Sequence, residues 1–135
     1  MVWMGHSRGG DYVNWILRQQ NLVEQASPEG YGPVQGLILM APSVFSPDTL
    51  PAVDLPMAVI LPACDSDVIL LDGQRYFESA RFDPARTQPV TSVYLEGGNH
   101  ENINRGLLPG TILAGRPDCA AGAALTPEAQ QDFMA

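Results

Sequence analysis

Lysine is absent from this chain of 135 residues: all seven basic side chains are arginine, set against fifteen Asp and Glu for a formal net charge of −8. No basic stripe exists to follow a phosphate backbone, which argues against a nucleic-acid partner. Long hydrophobic runs are also missing, and nothing approaches the ~20 apolar residues that a transmembrane helix needs. No secretory leader is visible, but the first residues already read as part of a folded domain, so that absence carries no information about export. Cysteine is scarce. Cys64 and Cys119 are too few to fix a compartment by count. Histidine is scarcer than most polar types, with only His6 and His100. Repeats and low-complexity tracts are lacking. What remains is 45% hydrophobic and 16% charged, a globular composition at the length of about one domain.

The most informative segment lies close to the beginning, at Gly5-His6-Ser7-Arg8-Gly9-Gly10. This is a G-x-S-x-G pattern, which in the right context marks a tight strand-to-helix turn with an exposed serine hydroxyl. The flanks supply that context. Val2-Trp3-Met4 is a short apolar run suited to the end of a buried parallel strand. Beyond Gly10, Val13, Ile16 and Leu17 fall at i, i+3 and i+4, one face of a helix. Gly5 and Gly9 are expected to flank the serine because a Cβ at either would clash where the strand folds back on the helix. The competing reading is a Gly-Ser turn in an ordinary strand-helix unit.

Further along, Val34 to Met40, Met57 to Leu61 and Thr91 to Leu95 read as three more strands, and Gln74 to Arg81 as a short helix. Ala26 to Pro33 is turn-rich, Ala41 to Pro56 is an irregular proline-containing connection, and Leu107 to Ala124 reads as loop. Thr126 is a helix N-cap and Pro127 suits the first helical position of a last helix. Apolar strands alternating with helices or crossovers give an α/β fold with a mostly parallel sheet of about four strands.

A serine hydroxyl needs a base to remove its proton during attack. His6 adjoins Ser7, and its side chain is expected to point away from the serine. His100, in Glu96-Gly97-Gly98-Asn99-His100, follows a strand at the end where active sites of open α/β sheets gather; the alternative is an inert surface-loop histidine. The imidazole in turn needs a carboxylate to set its tautomer. Asp65 and Asp67 both follow the strand that ends near Leu61, and Asp65 has the preferred offset, with Asp67 the alternative acid. A calcium site from Asp65, Asp67 and Asp72 is the rival reading, but it lacks the spaced ligands and glycine of a known loop type. No metal or cofactor is expected.

These residues together resemble the α/β-hydrolase superfamily, within it the lidless bacterial group of lipases, cutinases and dienelactone-hydrolase relatives. The resemblance rests on Gly5 to Gly10, on Cys64-Asp65-Ser66-Asp67-Val68 and on Gly97-Gly98-Asn99-His100, in the order serine, acid, histidine. It implies Ser7 as nucleophile, His100 as base, Asp65 as orienting acid and the Arg8 backbone N–H as one oxyanion-hole donor. The family's sheet has eight strands, of which this chain would supply the last four. The expectation is therefore a partial α/β-hydrolase fold with the N-terminal half missing, residues 1–135 being the C-terminal part of one domain. Alone, such a chain is expected to aggregate or to turn over an ester barely above background.

The function implied is a serine carboxylic-ester hydrolase (an esterase or lipase) working through an acyl-enzyme. Ala41 to Pro56 is too short for a lid, which suits a bulky or extended ester substrate. Thioester hydrolysis and a non-catalytic binding domain of the same fold are the alternatives. Cys64 adjoins the acid loop, and a Cys64–Cys119 disulfide would fasten the tail over it. Such a bond requires an oxidising compartment and favours a secreted protein.

Overall fold

The computed structural model describes residues 1–19, 33–45, 52–65, 67–68, 72–100, 103 and 125–134. The expected turn before Pro33, the middle of the 41–56 connection, the loop at 107–124 and Cys119 lie outside the described residues. Among the described residues four strands form one sheet: β1 (Val2–His6), β2 (Gly36–Met40), β3 (Met57–Pro62) and β4 (Val90–Leu95). They stand in the order β1-β2-β3-β4, every pair parallel. Three helices among the described residues accompany them: α1 (Arg8–Gln19), α2 (Asp72–Arg81) and α3 (Pro127–Met134). The class is α/β.

The strand order explains where the core sits. Each step along the sheet moves in the same direction, and right-handed crossovers then place the connecting helices on one face. Accordingly α1 packs on β1 and β2, and α2 on β3 and β4. Side chains of a strand alternate between faces. Leu37 and Leu39 of β2 and Met57 and Val59 of β3 therefore point to the helices and are buried with Leu17, Tyr76 and Ala80. The intervening Ile38, Ala58 and Ile60 are half-buried, and Val2 and Met4 of the edge strand β1 are exposed.

Helix α1 forms where its spacing places it, with Leu17 in the core and Val13 packed against it, but polar residues also turn inward. Its buried side chains are Asp11, Asn14 and Leu17, while Val13 and Ile16 are only half-buried. Polar groups tolerate this when they are hydrogen-bonded, and both are. The Tyr76 hydroxyl of α2 donates to Asp11, and the Val53 N–H donates to Asn14 Oδ1 at 2.9 Å. These bonds tie α1 to α2 and to the approach of β3.

Helix α2 begins at Asp72, two residues before the expected start. The Asp72 carboxylate accepts from the Val44 N–H at 2.9 Å and lies 3.5 Å from Arg75, so it anchors the exit of β2 to the favourable N-terminal end of a helix. In α3 the Thr126 hydroxyl oxygen accepts the Ala129 N–H at 3.2 Å, the bond of an N-cap.

Candidate active site

The C-terminal ends of β1, β3 and β4 lie along one edge of the sheet, and each delivers one residue of the site. Ser7 leaves β1 and Arg8 already opens α1. The serine has φ of 56°, in the left-handed region, where a side chain costs roughly 1–2 kcal/mol. Its backbone is held from three directions. The Ser7 N–H donates to Met40 O at 3.0 Å, and Ser7 O accepts from Gly10 N at 3.0 Å and Ser43 N at 3.3 Å. A strained backbone position persists only where its surroundings over-determine it.

The glycines around the turn divide unequally. A Cβ on Gly5 would lie 2.5 Å from Gly9 O, 2.6 Å from Gly10 Cα and 2.7 Å from Gly10 N. Gly9, expected to be equally constrained, has nothing within 4 Å of the equivalent position. The second tight glycine is Gly10, whose Cβ would meet Pro42 Cβ at 2.9 Å. The helix phase accounts for the correction: Gly9 is on the exposed side of the first turn and Gly10 is buried against the sheet.

Asp65 follows β3 and His100 follows β4, both buried. His100 Nδ1 lies 2.7 Å from Asp65 Oδ2. The other carboxylate oxygen, Oδ1, accepts the N–H groups of Asp67 and Val68, each at 2.8 Å, so the carboxylate cannot rotate freely. Burial works to raise the Asp65 pKa, but hydrogen bonds from His100 and the Val68 and Asp67 N–H groups, with the charge of His100, outweigh it and leave it below the ordinary value. Asp65 is thus an anion aimed at Nδ1. Asp67 is half-exposed, and its Oδ2 lies 3.7 Å from the opposite nitrogen, Nε2.

No family model matches the chain, and no curated protein and no solved structure matches it.

His6 reaches the same place by a route the sequence did not reveal. Its ring lies 4.4 Å from that of His100, tilted by 42°, so a residue adjoining Ser7 packs against the histidine that follows β4. Burial first, then the nearby His100, lowers the His6 pKa to about 4, against the opposing pull of Asp65, Asp67 and a hydrogen bond with the His100 backbone. His6 is therefore neutral at ordinary pH. Among the described residues no hydrogen bond joins Ser7 Oγ to His100. Arg8 begins α1, where the first N–H groups of a helix have no partner inside it. Its guanidinium lies 4.6 Å from the ring centroid of the exposed Phe45, placing an aromatic surface next to the turn.

The loop of His100 is pinned to the loop of Asp65. Ala63 N donates to Leu95 O at 3.0 Å and Cys64 N to Gly98 O at 2.8 Å. Gly97 supplies the turn with φ of 71°. Cys64 is buried and disulfide-bonded; the chain's other cysteine is Cys119.

Proposed function

We propose that this chain carries the nucleophile, base and acid of a serine carboxylic-ester hydrolase of α/β-hydrolase type. The observation that supports it most is the pairing of a left-handed serine at a strand-to-helix turn with a buried histidine whose Nδ1 meets a fixed carboxylate. In this reading Ser7 Oγ attacks the ester carbonyl while His100 Nε2 takes its proton. Asp65 holds the Nδ1–H tautomer and stabilises the imidazolium that forms, without taking the proton itself. The tetrahedral oxyanion collects at the start of α1, where the Arg8 N–H and the helix dipole favour negative charge. Collapse expels the alcohol, which receives the proton from His100 and leaves Ser7 acylated. Water, activated by the same base, completes hydrolysis. Phe45, exposed beside Arg8, offers an apolar surface for a bulky acyl or alcohol group.

Hydrolysis of p-nitrophenyl esters by the protein and by its Ser7→Ala and His100→Ala variants tests the reading. Turnover lost in both variants supports it. Turnover retained in Ser7→Ala assigns the activity elsewhere and overturns it.

A further inference from the structure

The loop carrying His100 is glycine-rich, and such a loop aims a side chain only if its peptide planes are fixed from outside. Gln130 of α3 does this. Its side chain is 0% exposed. Nε2 donates to Asn99 O at 2.7 Å, and Oε1 accepts the Asn99 N–H at 2.8 Å. One amide thus closes a paired ring with one backbone residue, as two facing strand residues do.

The planarity of the peptide group turns these two bonds into control of the neighbour. Asn99 C=O shares a plane with the His100 N–H, so the Gln130 Nε2 bond sets the plane that leads into His100. Asn99 N–H shares a plane with Gly98 C=O, and Gly98 O is held on its other side by Cys64 N at 2.8 Å. Two successive planes before the histidine are therefore fixed, one of them clamped between α3 and the Asp65 loop. The entry to α3 adds a further tie, with Leu125 N donating to Gly97 O at 2.7 Å. Packing alone does not call for glutamine here. A buried amide costs free energy unless paired, and an apolar side chain would fill the same space.

We propose that Gln130 is a positioning residue for His100: its amide locks the Asn99 backbone so that the imidazole meets Asp65 and faces the Ser7 turn. The proposal rests on the hydrolase reading for the purpose of that alignment, but the alignment can be measured without catalysis.

Two variants serve as probes. Gln130→Glu keeps the shape and replaces the Nε2 donor with an acceptor facing Asn99 O. Gln130→Met keeps the bulk and removes both bonds. The His100 Nδ1 proton held by Asp65 gives a far-downfield proton NMR signal, and near-ultraviolet circular dichroism reports whether each variant is folded. In folded variants the signal is expected to shift or vanish, and the rate of Ser7 labelling by a fluorophosphonate to fall on the order of 10²-fold, the usual penalty for misplacing a reacting group by about 1 Å. An unchanged downfield signal and an unchanged labelling rate in a folded variant would overturn the proposal. So would failure of both variants to fold, which would assign Gln130 to packing. If the signal responds as expected but the native protein resists labelling altogether, the positioning role stands and the hydrolase reading falls.

Discussion

Substituting alanine for each glycine of the turn separates a steric account from one based on motif spacing. In Gly5→Ala the new methyl would lie 2.5, 2.6 and 2.7 Å from three backbone atoms of Gly9 and Gly10. Backbone cannot swing aside as a side chain tip does, so strand and helix must separate. Overpacking costs about 1–3 kcal/mol, occasionally more, and contact with backbone on this scale belongs at the upper end, about 3 kcal/mol. For a chain of this size each kcal/mol corresponds to roughly 3–5 °C in Tm, so Gly5→Ala is expected to lower Tm by roughly 10–15 °C. Gly9→Ala meets nothing within 4 Å and replaces glycine in a helix, which gains about 0.5–1 kcal/mol. Its Tm is expected to rise by a few degrees. Gly10→Ala, against Pro42 Cβ at 2.9 Å, falls between them. Thermal unfolding followed by circular dichroism gives the ranking. Equal losses in Gly5→Ala and Gly9→Ala would refute the geometry of the turn and return both glycines to the same role.

Two further outcomes follow from the charges of the site. Asp65→Asn is expected to cost on the order of 10⁴ in kcat by releasing the Nδ1–H tautomer, whereas Asp67→Asn, altering a half-exposed group, leaves most turnover; the reverse ranking in ester hydrolysis would move the orienting role to Asp67. His6 has its pKa lowered from 6.5 to about 4, so the folded state binds fewer protons than the unfolded chain between those values. Stability is complete above about pH 6.5 and declines as pH falls toward 4. Full burial would make this about 3 kcal/mol, and solvent screening of a partly exposed ring about half that. Urea midpoints at pH 7 and pH 5 are expected to converge in His6→Asn; an unchanged pH dependence in that variant would place the acid sensitivity on other groups.

Much of the sheet was legible because strands covered by helices carry short apolar runs between turn-rich segments. Met57 to Leu61 has no polar interruption and lies in β3, the run Val34 to Met40 contains Gln35 and ends in β2, and Thr91 to Leu95 lies in β4 although Thr91 and Ser92 are exposed. The placement of Ser7, Asp65 and His100 was legible for a related reason: they come after the C-terminal ends of β1, β3 and β4, and parallel strands deliver those ends to the same side of a sheet. Less visible was anything set by rotation of a helix about its axis. The apolar stripe of Val13, Ile16 and Leu17 predicted the inward face of α1, but Asp11 and Asn14 go inward because Tyr76 and Val53 satisfy them. The same phase decides that Gly10 and not Gly9 is crowded. Gln130 carries no sequence signal at all, since glutamine in a short terminal helix is ordinarily a solvated residue and its partner Asn99 is 31 positions away.

The identity of the nucleophile is the claim on which the rest depends, and peptide mass spectrometry after fluorophosphonate treatment addresses it directly. A single phosphonyl adduct on Ser7, formed in the native protein and absent in Ser7→Ala, is the expected result, with the rate reduced in His100→Ala. An adduct on another serine, or a folded native protein that forms none, would contradict the account.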